Sequence, residues 1–351
     1  MVMLMKRIIT FVMLFIILFS LKYENEVKAL DYFARSYIVM DSNTGEIMEG
    51  KDYHLVRSVA SISKIMTAIV AIENTTLDTF VEVKENILKA YGSSIYLKVG
   101  EVVIMEDLLY GLLLRSGNDA AVTIANGVSG SEEEFVKLMN KKANEIGMKN
   151  STFHNPSGLD VDDEGNLSTS YDMALLMKYA LKNDTFRKIT SAKEYKSKNH
   201  GVWINKNKLM RLYEYTSGGK TGFTTKARRT LVTSAKKEDT EFIVVTLDCG
   251  GDFAMHKSIY EKYFDEYKTF KLLKQGINNF EEYDLECSKE INITLKKEEI
   301  TNSNIVYEIR GNEANVVLNV NEDSEVKGSC SVTKNKVKKV KKNWLKKLFN
   351  L

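Results

Sequence analysis

One stretch restricts the possible folds more than any other, residues 61–73, because its apolar side chains recur at helical spacing. The apolar positions are Ile62, Ile65, Met66, Ile69 and Val70. A helix of this composition needs other elements packed around it. The same helix carries Ser61 in its first turn and Lys64 three residues later, on one face. The sequence therefore predicts a buried helix with a hydroxyl and an amine side by side.

Ser61 and Lys64 could serve as a nucleophile and its base, since a serine hydroxyl needs a neighbouring base to become nucleophilic. A lysine amine has an unperturbed pKa of about 10.4, so it acts as a base only where burial or another cation disfavours its charged form. Taken alone, Ser61 and Lys64 are more typical of a solvated helix face. The pair gains weight only from companion motifs.

Two companion motifs follow in the chain. Ser116-Gly117-Asn118 begins 55 residues after Ser61, and Lys220-Thr221-Gly222 begins 104 residues after Ser116. Alone, the first would be a turn with a helix N-cap and the second a glycine-rich turn. In this order, the three motifs form the pattern S-x-x-K, S-x-N and K-T-G of penicillin-binding proteins and β-lactamases.

The chain resembles the low-molecular-mass penicillin-binding proteins of the D-alanyl-D-alanine carboxypeptidase type, peptidase family S11. Besides the three motifs, Phe153–Leu159 (FHNPSGL) and Ser168–Met173 (STSYDM) are similar to stretches of that family. The resemblance covers about residues 30–330. It implies an α/β (α+β) fold of the serine β-lactamase and DD-peptidase type, an antiparallel sheet flanked by helices, with a small C-terminal β domain.

The resemblance also implies an activity. The protein would remove the terminal D-alanine from peptidoglycan stem peptides through an acyl-enzyme, and β-lactam antibiotics would be its covalent inhibitors. Ser61 would attack the carbonyl, Lys64 would accept its proton, and Ser116 would relay a proton to the leaving amine. No metal, organic cofactor or nucleic acid is implied.

Five further positions are implied to bind substrate: Asn118, Lys220, Thr221, Gly222 and Phe223. Asn118 would hydrogen-bond the substrate amide or fix Lys64. Lys220 and the Thr221 hydroxyl would bind the terminal carboxylate, and Lys220 would also depress the pKa of Lys64. The backbone N–H of Phe223, beside Gly222, would form the oxyanion hole together with that of Ser61.

Two departures from the family pattern bear on activity. Arg228 stands where the family commonly has glycine, and an arginine is costly if that position needs a positive φ. The family arginine near the start of the closing helix, which grips the substrate carboxylate, has no clear counterpart, His256 and Lys257 being nearest. A catalytically weak wall-binding or regulatory protein is therefore an alternative. A class A β-lactamase is another, although no E-x-x-x-N stretch lies between Ser116 and Lys220.

The N-terminus predicts export. Lys6 and Arg7 precede an apolar run over residues 8–21 and then Val27-Lys28-Ala29, the layout of a signal peptide cleaved after Ala29. An uncleaved anchor is the alternative, although the run is shorter than the roughly 20 residues of a membrane span. Together with the Lys- and Asn-rich composition, the signal peptide predicts a location at the outer face of the cytoplasmic membrane or in the cell wall of a Gram-positive bacterium. The predicted segments are a signal peptide (1–29), a DD-peptidase domain (30–272), a small β-rich domain (273–330) and a basic amphipathic tail (331–351).

The tail accounts for the net charge of +3 of the chain, because eight lysines and no acidic residue lie between Lys334 and Leu351. An apolar stripe at helical spacing contains Val337, Val340, Trp344, Leu348 and Leu351. Lysines at an anionic surface contribute about 1 kcal/mol each, so the tail is predicted to lie on a membrane as an amphipathic helix. A disordered tail that binds anionic wall polymer is the alternative.

The cysteines Cys249, Cys287 and Cys330 form no C-x-x-C pair and have no histidine at metal-ligand spacing, which argues against a zinc site. We expect three buried thiols. The remaining patterns predict a hairpin over residues 37–49, helices over 105–114, 119–128, 132–146, 171–181 and 255–264, and strands over 230–234, 242–248, 291–295, 305–309 and 314–320.

Overall fold

The computed structural model describes residues 34–160, 165–335 and 345–347. The predicted signal peptide and most of the predicted tail lie outside these residues. Within them, none of the helices combines the length and apolar character that crossing a bilayer requires.

The described segments form a mixed fold of strands and helices. The strands are β1 (Ala34–Asp41), β2 (Ile47–Lys51), β3 (Arg57–Ser58), β4 (Phe80–Glu82), β5 (Val102–Ile104), β6 (Leu167–Ser168), β7 (Glu194–Lys196), β8 (Val202–Ile204), β9 (Thr216–Thr224), β10 (Arg228–Lys237), β11 (Thr240–Cys249), β12 (Tyr267–Leu273), β13 (Gly276–Asn279), β14 (Tyr283–Cys287), β15 (Ile291–Lys296), β16 (Ser303–Arg310), β17 (Glu313–Val320), β18 (Asp323–Asn335) and β19 (Leu345–Lys347). The α-helices are α1 (Lys64–Asn74), α2 (Met105–Tyr110), α3 (Asn118–Ser129), α4 (Glu132–Ile146), α5 (Ser170–Ala180), α6 (Asp184–Thr190), α7 (Leu209–Leu212) and α8 (Asp252–Glu266).

The main sheet has five antiparallel strands in the order β2-β1-β11-β10-β9. Its centre, β11, is buried almost throughout, as the apolar run at 242–248 predicts. The N-terminal hairpin is confirmed, because β1 and β2 pair around the turn at Asn43. β9 is the last strand of this sheet, so one of its edges has no strand partner there.

Helix α1 is buried against the other helices, and eight of its eleven residues are inaccessible to solvent. The helical pattern from Ile62 to Val70 thus predicts its packing correctly. Helices α2 to α5 and α8 match the predicted positions to within a few residues. The short helices α6 and α7 were not predicted from the sequence, because a single turn or two leaves too few positions for an apolar period.

The C-terminal strands form a second core around residues such as Leu285, Ile293 and Val316. Six of them order as β13-β14-β18-β17-β16-β19, and β12 pairs with β15. Asp41 at the end of β1 accepts a hydrogen bond from Thr294 of β15, and Lys327 lies 2.7 Å from Glu46. These contacts connect the main sheet to the C-terminal strands.

The expectation of three buried thiols is wrong for two of the cysteines. Cys287 and Cys330 form a disulfide, whereas Cys249 is a buried free thiol. The pairing follows from strand register, since Glu286 of β14 lies opposite Ser331 of β18 and the two cysteines are the next pair along. Register between distant strands is not visible in the spacing of the cysteines.

The predicted tail helix is also wrong where the structure can be compared with it. Leu345–Lys347 form the strand β19, which pairs with residues 305–307 of β16. Without β19, β16 would end the sheet and expose a row of unpaired backbone groups, which attract any extended segment nearby. Residues 331–335, the start of the predicted tail, belong to β18. Residues 336–344 and 348–351 lie outside the described residues, so binding of the tail to a membrane stays a prediction.

We expect the disulfide to be detectable by thiol titration. The oxidised protein, unfolded without reductant, should expose one thiol per chain, and three after reduction. The variant Cys249→Ser should expose none without reductant. The double variant Cys287→Ser/Cys330→Ser should lose about 2–4 kcal/mol of stability in chemical denaturation, because the link restrains the unfolded chain. Three thiols in the unreduced parent would contradict the pairing.

Candidate active site

Ser61 lies in a 3-10 turn, Ala60–Ser63, immediately before α1. It is therefore just outside the helix rather than in its first turn, a small correction to the sequence prediction. Ala60 adopts a φ of 52°, and the loop residue Gly158, at a φ of 78°, packs directly on its carbonyl. A side chain at Gly158 would collide with that backbone, which explains the glycine in the FHNPSGL stretch.

The predicted site residues converge on one cleft. Its lining includes Ser61, Ser116, Asn118, Thr221, Gly222 and Phe223. Lys64 and Lys220 are buried beneath them, with 0% and 1% of their surfaces exposed. The structure thus brings together all eight predicted site residues, seven from the three motifs and Phe223 beside the last of them.

The Lys64 amine lies 2.9 Å from Ser61 Oγ. It donates hydrogen bonds to Asn118 Oδ1 at 2.7 Å and to the Ser157 carbonyl. Burial holds the pKa of Lys64 well below its usual range, and the positive charges of Lys220 and Lys206 lower it further. A neutral amine at this position can take the proton of the Ser61 hydroxyl.

The S-x-N motif supplies the opposite wall. Helix α2 continues into a π-helical turn, Gly111–Arg115, and Ser116 then adopts a φ of 63° before α3 begins at Asn118. Asn118 is fixed on both sides, because its Oδ1 accepts from Lys64 and its Nδ2 donates to the Tyr91 carbonyl at 2.5 Å. Of the two roles predicted for Asn118, the structure shows the one that fixes Lys64.

The K-T-G motif lies on a strand and not in a glycine-rich turn. Lys220, Thr221 and Gly222 belong to β9, the sheet edge that faces the cleft. A Cβ at Gly222 would stand 3.0 Å from the Ser61 backbone nitrogen, so only glycine lets the strand approach the nucleophile this closely. This approach is what an oxyanion hole built from the N–H groups of Ser61 and Phe223 requires.

Lys220 is held by its own strand, because its amine donates to the Thr221 carbonyl at 2.7 Å. Burial, with the charge of Lys206 as a further cause, lowers the pKa of Lys220 to about 7. The predicted electrostatic effect of Lys220 on Lys64 is confirmed in direction. The two buried amines therefore share a site in which both cannot easily be charged.

Lys206 is a residue of the cleft that the sequence motifs did not predict. It lines the cleft, and its amine donates to Ser93 Oγ at 2.8 Å. Its charge lowers the pKa of both Lys64 and Lys220. The only signal for it is the Asn205-Lys206-Asn207 triplet, which in a lysine-rich chain does not stand out.

The two departures from the family pattern have different outcomes. Arg228 has a φ of 60°, so this position does need the left-handed conformation that glycine adopts without strain. His256 is fully buried and hydrogen-bonds Thr233 and Thr246, and burial lowers its pKa to about 3. Lys257 lies toward Glu261 at 3.6 Å. Neither His256 nor Lys257 is among the cleft-lining residues.

Comparison with known proteins agrees with this geometry. The profile of peptidase family S11, D-alanyl-D-alanine carboxypeptidase, matches residues 23–251. The chain belongs to this family. It is 35% identical over 255 residues to the D-alanyl-D-alanine carboxypeptidase DacF of Bacillus subtilis, an alignment covering 69% of this chain and 65% of that protein. It is 31% identical over 217 residues to DacB2 of Mycobacterium tuberculosis, covering 61% and 74%.

Solved structures of similar proteins share the fold. Penicillin binding protein 5 from Haemophilus influenzae superposes with a TM-score of 0.77 at 25% identity, covering 87% of this chain and 97% of that one. A D-alanyl-D-alanine carboxypeptidase from Mycobacterium tuberculosis gives a TM-score of 0.62 at 29% identity, covering 65% and 89%. The predicted fold class, an antiparallel sheet flanked by helices with a C-terminal β domain, is confirmed.

Because Lys206 lowers the pKa of Lys64, the variant Lys206→Met should raise that pKa. The neutral amine would then be available only at higher pH, so the rising limb of a pH profile should move to higher pH. The profile is measured as the rate of acylation by benzylpenicillin. Lys208→Met removes the same charge from another cleft-lining lysine and should leave the limb in place. Coincident profiles for the parent and Lys206→Met would refute the electrostatic role.

The backbone at Arg228 predicts a stabilising substitution. Arg228→Gly should raise the free energy of unfolding by about 1 kcal/mol, because a left-handed conformation costs an L-residue about that much. Arg228→Ala removes the same charge but keeps the Cβ, so it should bring no such gain. Urea denaturation of the three proteins checks this, and equal gains for Gly and Ala would attribute the effect to charge.

Proposed function

We propose that this S11 chain is a serine-type D-Ala-D-Ala carboxypeptidase that trims peptidoglycan stem peptides and is acylated by β-lactams. The supporting observation is the buried, pKa-depressed Lys64 amine 2.9 Å from Ser61 Oγ. A lysine is rarely buried with its stem and amine inside a helical core unless its amine has polar partners and a use. The alignments with the DacF and DacB2 carboxypeptidases support the same reaction.

In the proposed acylation, Ser61 Oγ attacks the carbonyl carbon of the penultimate D-alanine while its proton moves to Lys64. The negative charge that develops on the carbonyl oxygen is received by the backbone N–H groups of Ser61 and Phe223. The C–N bond then breaks, and the leaving nitrogen takes a proton from Lys64 by way of the Ser116 hydroxyl. D-Alanine departs and an ester remains on Ser61.

Deacylation reverses these roles. A water molecule attacks the ester carbonyl, Lys64 takes the proton of that water, and the proton returns to Ser61 Oγ as the ester bond breaks. The products are the shortened peptide, with a new terminal carboxylate, and the free enzyme. A β-lactam would follow the first half of this path, its ring C–N bond breaking in place of the peptide bond.

The edge strand β9 offers a binding mode for an extended peptide. Its outer edge faces the cleft, so a substrate backbone can add to the sheet through main-chain hydrogen bonds. Thr221 and Phe223 lie along this edge, on either side of Gly222. The peptide would thereby be aligned with its scissile carbonyl over Ser61.

The proposed setting is the outer face of the cytoplasmic membrane or the cell wall. Its support is the sequence alone: the signal peptide over residues 1–29 and the lysine-rich tail over residues 331–351. The division into a DD-peptidase domain and a β-rich domain near residue 272 belongs to the same proposal.

The proposal is tested with a pentapeptide that ends in D-Ala-D-Ala. The parent should release D-alanine and form a covalent adduct with benzylpenicillin, and Ser61→Ala should do neither, because it lacks the attacking hydroxyl. Free D-alanine is quantified enzymatically and the adduct by intact mass. A melting curve of Ser61→Ala confirms that the variant is folded. Failure of the parent to release D-alanine would contradict the carboxypeptidase.

A further inference from the structure

A carboxypeptidase must recognise the free carboxylate at the end of its substrate. Lys220, the predicted partner of this carboxylate, is buried, is hydrogen-bonded to its own strand, and has a pKa of about 7. Near neutral pH it is therefore charged only part of the time. His256 and Lys257, the nearest sequence candidates for a second cation, are outside the cleft lining.

Arg229 provides a cation in the cleft, which neither His256 nor Lys257 does. It lies on β10 directly opposite Phe223 of β9, one residue before the Thr230–Gly222 pair. Its side chain lines the cleft together with Thr221 and Phe223, and 45% of it is exposed. A guanidinium, unlike the Lys220 amine, stays charged at every physiological pH.

The guanidinium is held in place from two sides. Its Nη2 donates to Asp252 Oδ1 at 2.7 Å, and its central carbon lies 5.5 Å from the ring centroid of Phe253. Asp252 is the first residue of α8 and its side chain is only 3% exposed. Two residues at the start of the closing helix thus orient an arginine that comes from a strand.

Arg229 has more hydrogen-bond donors than its contact with Asp252 uses, so it can also bind a ligand. A guanidinium carries five N–H donors in a planar fork that matches a carboxylate. Among the described residues, Asp252 is the one hydrogen-bond acceptor that Arg229 contacts. Two other cations of the cleft donate to groups other than a substrate, Arg115 to the Ile204 carbonyl and Lys206 to Ser93.

We propose that Arg229 binds the terminal carboxylate of the substrate, with Asp252 and Phe253 as its positioning residues. The inference rests on the proposed carboxypeptidase function and names the residue that selects substrates with a free carboxylate. Asp252 balances the charge of Arg229, so recognition depends on directed hydrogen bonds more than on net charge. The side chain of Arg229 and the Thr221 hydroxyl would together receive the two carboxylate oxygens.

The test compares two acylating probes that differ only in this group, benzylpenicillin and its methyl ester. Arg229→Gln should lower the second-order rate constant for acylation by benzylpenicillin about 10- to 100-fold, the usual effect of losing a charge-assisted hydrogen-bond pair. The rate constant for the ester should change less than about twofold, because the ester offers no anion to the guanidinium.

Arg228→Gln is the matched control. It makes the same substitution one residue away, on a side chain outside the cleft lining, and should leave the ratio of acid to ester unchanged. Melting curves establish that each variant is folded. If Arg229→Gln proves less stable than the parent, Arg229→Lys is measured as well. This variant keeps the charge but loses the planar fork, so it should lower the ratio of acid to ester in the same direction but by less.

The outcomes separate the two proposals. An equal loss for acid and ester in a folded Arg229→Gln protein, or no loss for either, would overturn the role of Arg229. A fall in the ratio for Arg228→Gln as large as that for Arg229→Gln would reduce the effect to general charge and would also overturn it. Absence of acylation of the parent by both probes would instead refute the proposed function.

Discussion

The burial of the Lys64 amine is the constraint on which the site depends. An unpaired ammonium in a protein interior costs several kcal/mol, so burial disfavours the charged form of the amine, and the amine must be surrounded by hydrogen-bond partners. Besides Ser61, those partners are Asn118 on α3 and the Ser157 carbonyl in the loop that contains Gly158. The geometry that makes Lys64 a base therefore also requires two distant segments to be in place.

A second buried amine, that of Lys220, lies on the strand side of the cleft and is subject to the same constraint. Lys220 belongs to an edge strand, yet it is as inaccessible as a core residue, and Lys206 adds a third positive group nearby. Burial, with repulsion between the positive charges as a further cause, favours the neutral forms of Lys64 and Lys220, which suits proton transfer. It also makes the cluster a weak permanent countercharge for an anionic ligand, and an arginine held by a carboxylate and an aromatic ring is better suited to that task.

Much of the site could be predicted from sequence, because its chemistry is concentrated in short motifs. The members of each motif are only a few residues apart, so their types and spacing can be read directly from the sequence. This holds for Ser61 with Lys64, Ser116 with Asn118, and Lys220 with Thr221. The burial of α1 was equally accessible from its apolar period. Residues that act through long-range contacts were not. Lys206 and Arg229 acquire their roles from neighbours far along the chain, and the Cys287–Cys330 pair depends on the register of two strands.

The order of strands in the main sheet has a consequence for how the protein folds. β11, at its centre, pairs with β1 on one side and β10 on the other, so Ala34 lies opposite Cys249, a residue more than 200 positions later. Such contacts between distant residues slow folding, because the chain loses the entropy of the long loop between them before the strands gain any hydrogen bonds. Until β11 is inserted, the thiol of Cys249 is not yet enclosed and can react with Cys287 or Cys330. By enclosing Cys249, the main sheet therefore also protects the pairing of two cysteines that lie outside it.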